Sequence, residues 1–212
     1  DKMGRYTGPT DRLSRREGVN LFLKGERSYN GKTAIEKRPE QVPGEHGKFR
    51  SRFSEYGVRL REKQKVKRMY GLRERQFKKY FEKAAHLKGV TGAILITNLE
   101  RRLDNVIFRL CLASSRNDAR QLVSHKHVLV NGKSVNIPSY QVQEGDKIEI
   151  REKSKKLQRI LEALQFRSRR GVPEWLDLND ENLSGTVVRL PERDDVTFPI
   201  EDQLIVEFYS RV

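Results

Sequence analysis

Apolar positions along this chain change their period several times, and each change marks an element. Over Ser54–Lys88 most residues are good helix formers, and Gly71 divides the stretch in two. In the second half Phe77, Phe81, Ala84 and Lys88 share one helical face, flanked by Tyr80 and Leu87, and Gly89 offers a C-terminal cap. Leu95, Leu99, Leu103, Val106 and Leu110 step by 4, 4, 3 and 4, which predicts one amphipathic helix with Thr91 as its N-cap. Ser115-Arg116-Asn117-Asp118 reads as a capping box that starts a helix over Arg116–Ser124. Its Ala119, Leu122 and Val123 are expected inside, with Arg116, Arg120 and Gln121 outside.

The period then falls to two. Val128–Val130 and Ser134–Ile137 flank Asn131-Gly132-Lys133, and Asn-Gly fits a type I′ hairpin turn because both central positions need positive φ. Ile148 and Ile150 alternate with charges after the turn Glu144-Gly145-Asp146, giving another strand. Leu157, Ile160, Leu161 and Leu164 predict a further helix, ended by the run Arg167–Gly171. Beyond it Trp175 is expected to be buried, and Thr186–Leu190 and Leu204–Tyr209 read as two more strands.

The first 53 residues look different. They are rich in Gly, Pro, Arg and Ser and show little periodicity beyond Val19–Leu23. Arg38–Gly47 holds two prolines and two glycines and reads as an extended loop. Such a segment buries too little apolar surface to order itself alone, so it is expected to fold against a partner. Arg12, Arg15 and Arg16 are spaced as the basic side of a short helix.

Charge sharpens this division. The 212 residues carry 44 Lys+Arg against 29 Asp+Glu, a net of +15, and residues 1–89 hold +14 of it. Residues 90–153 add +3 and residues 154–212 contribute −2. Solubility needs no such asymmetry, whereas a field concentrated this way attracts a polyanion, so nucleic-acid binding is the favoured class. With 35% hydrophobic residues a single deep core is not expected. No apolar run is long enough to span a membrane, and no signal-peptide core precedes a small-residue cleavage site, so a soluble cytosolic chain is expected.

Catalytic chemistry is missing from the sequence. It contains no GxxxxGK[ST], no GxGxxG after a strand, no GxSxG and no HExxH. Its single cysteine, Cys111, excludes an intramolecular disulfide and reads as a small buried residue. Among His46, His86, His125 and His127, only the last two could share a strand side, and they lack the further ligands a metal needs. No clear recognition helix stands out for DNA.

From Arg102-Leu103-Asp104-Asn105 through Ser115-Arg116, Ala119–Val123, His125, Val130–Lys133 and Gly145-Asp146, the chain resembles a small RNA-binding module. That module recurs in ribosomal proteins, pseudouridine synthases and tyrosyl-tRNA synthetases. The remainder carries GRYTGP at Gly4–Pro9, LSRREG at Leu13–Gly18, PGEHG at Pro43–Gly47, YGVRLREKQKVKRMYG at Tyr56–Gly71, ERQF at Glu74–Phe77 and LIVEFYS at Leu204–Ser210. Together with Asn136–Val142, these make essentially the whole length similar to bacterial-type small ribosomal subunit protein four. A modifying enzyme built on the same module would need a catalytic domain for which no motif or uncommitted length remains. A free-standing ribosome-rescue protein would leave the basic arm without a role.

The resemblance implies an α+β fold: an extended basic N-terminal arm (1–53), a mostly helical first domain (54–90), a compact α-α-β RNA-binding module with a small antiparallel sheet (91–152), and a helix plus C-terminal strands (153–212). It implies no enzyme activity and no cofactor. The implied partners are small-subunit rRNA at the five-way junction of its 5′ domain, small-subunit protein five, and mRNA where it enters the subunit. A membrane and a second copy of the chain are not among them. The location is the ribosome of a bacterial cytoplasm or a bacterial-like organelle, with effects on assembly and decoding accuracy, and in some relatives repression of their own mRNA.

The residues expected on RNA phosphates are Arg5, Arg12, Arg15, Arg16, Lys63, Lys65 and Arg68. In the module they are Arg102, Arg116, Arg120, Gln121, His125, Lys126, Asn131 and Lys133. For Arg102 a pairing with Asp104 is the open alternative, and for Asn131 a role confined to the turn. Many relatives bind zinc through a CxxC…C-x4-C pattern. The corresponding positions here are Asp11, Ser14, Ser28 and Thr33, oxygen donors poorly suited to zinc, so a zinc-free N-terminus is expected.

Overall fold

The computed structural model describes residues 6–39, 41–45, 47, 52–165 and 167–210. The chain forms two compact units: residues 1–95 with 198–212, and residues 96–197.

In the first unit, α1 (Thr10–Glu17) runs from Pro9 to a left-handed Gly18, a 3₁₀ turn follows at Gly25–Ser28, and α2 (Ala34–Lys37) starts at Thr33. The helix expected at the three arginines is therefore present. The rest of the arm departs from the extended expectation, because Leu21 and Ile35 are buried and α1 packs against both α2 and the helix Glu55–Met69. Parts of Arg38–Gly47 lie outside the described residues.

α3 (Glu55–Met69) is N-capped by Ser54, whose hydroxyl accepts from the Gly57 amide at 3.2 Å. It ends in a Schellman cap: the Gly71 amide donates to Arg68 O, Leu72 N to Lys67 O, and Gly71 sits at φ +64°. α4 (Glu74–Ala85) buries Phe77 and Ala84 of the face read from its spacing, but it ends at His86, short of Lys88 and the expected Gly89 cap, and leaves Leu87 exposed. α5 (Thr91–Glu100) begins in the first unit and ends in the second.

The second unit holds α6 (Leu103–Arg109), α7 (Arg116–Ser124), β1 (Val128–Val130), β2 (Lys133–Ser134), β3 (Lys147–Ile150), α8 (Gln158–Gln165), α9 (Arg167–Arg170), β4 (Leu176–Asn179) and β5 (Ser184–Val187). The strands form an antiparallel sheet in the order β2-β1-β3-β5-β4. Its core joins Leu103, Val106, Leu110, Leu122, Val128, Ile148, Ile160, Trp175 and Val187. Gly185 on β5 allows the closest approach in this packing. A Cβ there would lie 2.4 Å from Leu110 Cδ2 and 3.1 Å from Asp177 O.

Three expectations need correction. The helix read continuously from Leu95 to Leu110 is broken at Arg102, which is extended at φ −67°, ψ 134°. The loop at 138–142 causes the break. Pro138 O and Tyr140 O accept from the Asp104 and Leu103 amides, and Arg101 O accepts from Val142 N, so α6 begins on carbonyls supplied from outside it. All five spaced positions are nevertheless fully buried.

Leu204–Tyr209 is not a strand but lies within α10 (Asp202–Ser210), part of the first unit. A short apolar run fits either period. Here Ile205, Phe208 and Tyr209 fall on one helical face, with Tyr56–Phe208 ring centroids at 5.6 Å and Phe81–Tyr209 at 4.6 Å. Gly92 makes room for this helix, since a Cβ there would be 2.5 Å from Asp202 Oδ2.

The third correction concerns the hairpin and the segment after α8. β2 covers only Lys133–Ser134, β4 is a further strand beyond those expected, and the basic run after α8 is itself helical in α9.

Candidate nucleic-acid interface

On the second unit the exposed polar residues singled out by the sequence lie at the end of α7 and on the hairpin. Ser115 Oγ accepts from Asp118 N at 3.3 Å, as the capping box predicts, and fixes where α7 starts. Its far end closes in a Schellman cap, with Lys126 N donating to Val123 O and His127 N to Leu122 O. Where α3 uses glycine for this cap, α7 uses Lys126 at φ +62°. A side chain in the left-handed region costs about 1–2 kcal/mol. Here that cost falls at an exposed lysine.

Gln121, His125, Lys126 and Lys133 are exposed, and Arg120 is half-buried beside them. The hairpin turn is type I′ as expected, with Asn131 at φ +51° and Gly132 at +75°. Asn131 is committed to it. Its Nδ2 donates to Asp146 Oδ1 and its Oδ1 accepts from Lys147 N, both at 2.8 Å. It therefore sets the hairpin that presents Lys133.

Two arginines expected on this surface lie inside the unit. Arg102 is fully buried and makes a two-pronged contact with Asp104, Nε to Oδ1 at 3.0 Å and Nη2 to Oδ2 at 2.7 Å. The pairing alternative is the one the geometry supports. Arg116 is 8% exposed, donates Nε to Asn105 Oδ1 at 2.8 Å, and stacks over the Phe108 ring at 4.5 Å. Helical spacing alone placed it outside, but the neighbouring α6 covers that face.

The structure also adds cations that periodicity does not single out. Burial first, and then the charges of Arg159, His125 and Arg151, hold the His127 imidazole below its ordinary value. Arg159 is itself paired with Asp118 at 3.6 Å, while Arg151, Lys153 and Lys156 of the same stretch are exposed. Their signal was a basic density at 151–159 straddling a strand end and a helix start, where no single periodicity collects it.

In the first unit, exposed Arg12 and Arg16 lie one turn apart on α1, and half-buried Arg15 leaves its Nε without a partner. Arg68 and Arg61 both donate to Glu17 Oε1, the latter at 3.3 Å. Burial raises the Glu17 carboxyl above its ordinary value, against the pull of Arg61, Arg68 and Arg16.

Lys63 is buried, bonded to Glu74 Oε1 at 2.7 Å and placed 4.5 Å from the Phe208 ring centroid, so it holds α3, α4 and α10 together. Lys65 is similarly tied, to Glu62 at 2.7 Å and Pro199 O at 2.9 Å. Arg5 lies outside the described residues.

Asp11, Ser14, Ser28 and Thr33 do not fit zinc. Asp11 pairs with Lys24 at 3.6 Å, Ser14 Oγ accepts from Leu21 N, Ser28 Oγ accepts from Lys24 N, and Thr33 Oγ1 donates to Glu36 at 2.6 Å. Each oxygen is spent on a local bond that ties the arm to itself. Among the described residues no group of three or more His, Cys, Asp or Glu side chains could hold a metal ion.

Residues 5–100 match the ribosomal protein S4/S9 N-terminal domain family, and residues 101–148 match the S4 domain. Curated relatives agree along the whole chain. The small ribosomal subunit protein uS4 of Geotalea daltonii is 58% identical, that of Citrifermentans bemidjiense 57% and that of Halothermothrix orenii 54%. Each alignment covers 209 residues, 99% of this chain and 100% of the relative. With this likeness over both units, the chain belongs to the bacterial small ribosomal subunit protein uS4 family.

Proposed function

We propose that this protein is a primary binder of small-subunit ribosomal RNA that nucleates folding of the RNA's 5′ domain at its five-way junction. Family membership makes it a structural ribosomal protein that binds rRNA and not an enzyme. The observation that carries the reading further is the set of exposed cations on both units. RNA helices hide their base edges in a deep groove, so phosphates, 2′-hydroxyls and exposed bases are what such side chains would meet. Arg12, Arg15, Arg16 and Arg68 form the contact set of the first unit. Arg120, Gln121, His125, Lys126 and Lys133 form that of the second, extended by Arg151 and Arg159.

Placement beside small-subunit protein five, near the path by which mRNA enters, and an effect on decoding accuracy belong to the same reading, as does repression of its own mRNA. The protein acts as a single copy on each cytoplasmic ribosome. No helix among the described residues is long and apolar enough to cross a membrane. Sedimentation tests the reading: the protein should remain on small subunits at one copy each after a high-salt wash. Release into the supernatant would count against it.

A further inference from the structure

A cleft of about 440 Å³ in the first unit is lined by Tyr6, Arg12, Leu13, Arg16, Pro43 and Arg68. That size suits a small-molecule site. A second hollow of about 590 Å³ shares Tyr6, Leu13 and Arg68 and continues to Leu72 and Arg75. The lining is of two kinds: three guanidinium groups, and a ring, an isobutyl and a pyrrolidine surface.

Tyr6 folds back on the turn at Gly8, where a Cβ would be 2.7 Å from its hydroxyl oxygen, and that hydroxyl donates to Pro9 O at 3.4 Å. Tyr6 nevertheless remains 50% exposed. An aromatic ring lying against its own turn and still open to solvent is a stacking platform.

The guanidinium groups are also prepared. Arg68 is oriented by Glu17, whose side chain is 1% exposed. Arg12 and Arg16 are exposed and donate no side-chain hydrogen bond among the described residues. A bare anion would use these cations and leave the apolar wall uncovered. A nucleotide uses both.

We propose that this cleft captures one unstacked nucleotide of the bound RNA, with its base against Tyr6, Leu13 and Pro43 and its phosphate on Arg12, Arg16 and Arg68. The inference rests on the RNA-binding reading above and assigns that reading a specific seat. It makes part of the first unit's affinity depend on a base and not on charge alone.

The full-length protein is titrated with adenosine monophosphate and, separately, with inorganic phosphate, following backbone amide resonances by NMR. The nucleotide should shift the Tyr6, Leu13 and Arg16 amides well beyond what phosphate does. Equal shifts from the two probes would reduce the cleft to an anion site and overturn the proposal.

In parallel, Tyr6→Ala should weaken binding to 5′-domain rRNA by about fivefold or more, the loss of one stacked base, with an unchanged salt slope. Leu13→Trp, which fills the cleft and keeps every charge, should do the same. If Leu13→Trp loses its fold by circular dichroism, the Tyr6→Ala result stands alone. Variants that bind as the wild type would overturn the proposal and leave RNA binding intact. Failure of the wild type to bind would overturn the underlying reading instead.

Discussion

The Arg116 guanidinium donates to the Asn105 side-chain oxygen at 2.8 Å, across the buried contact between α7 and α6. The same asparagine donates Nδ2 to Glu100 Oε2 at 2.8 Å, and that carboxylate also takes two bonds from Arg109. A chain of charge-assisted bonds therefore runs from α5 through α6 to α7. Phe108 lies beneath it, with the Arg116 and Arg170 guanidinium carbons 4.5 and 3.9 Å from its ring centroid. Arg116→Ala should cost about 2 kcal/mol of stability by leaving Asn105 short of a partner. Urea titration measures this, and the salt slope of RNA binding should not move.

Lys126 predicts the opposite separation. Glycine relieves the left-handed strain, so Lys126→Gly should stabilise the protein by roughly 0.5–1 kcal/mol. It should also weaken RNA binding and lower the salt slope by about 0.7–0.9. A shift in the thermal midpoint, set beside a binding titration, reads both effects.

How much of this was legible in the sequence depended on whether the signal was local. The Asn131-Gly132 turn, the Ser115 cap and the buried faces of α4 and α7 were readable because turn chemistry and helical spacing act within a few residues. The break at Arg102 was not, since it is made by carbonyls some forty residues away. Leu204–Tyr209 is apolar at nearly every position, so no period distinguishes strand from helix. Among candidate contacts, residue type found the exposed cations but could not tell Lys126 from Arg102 or Lys63. Burial does that: Arg102 and Lys63 are buried against Asp104 and Glu74, whereas Lys126 is exposed.

Gly185 tests the packing of the second unit. Gly185→Ala would place a methyl 2.4 Å from Leu110 Cδ2 and 3.1 Å from a backbone oxygen that cannot move far. Overpacking of this kind costs about 1–3 kcal/mol, and the urea midpoint should fall with little change in slope.

Acid stability should depend on Glu74. Burial alone would raise its carboxyl, but hydrogen bonds from Lys63, Lys67 and Tyr209 bring it down to about 2. Because the folded value lies below the unfolded value near 4.5, this stabilisation is complete above pH 4.5 and is lost as pH falls toward about 2. Glu74→Gln should flatten the stability profile of α3, α4 and α10 in that window, followed by Tyr fluorescence.

The salt dependence of binding to 5′-domain rRNA tests the central claim most directly. Alanine at Arg120, Lys126 and Lys133 together should weaken binding and lower the slope by about 0.7–0.9 for each phosphate that is no longer neutralised. The same change at Arg102 and Arg116 should lower stability and leave the slope where it was. An unchanged slope in the first variant, or a reduced slope in the second, would contradict the division of these cations into surface contacts and internal struts.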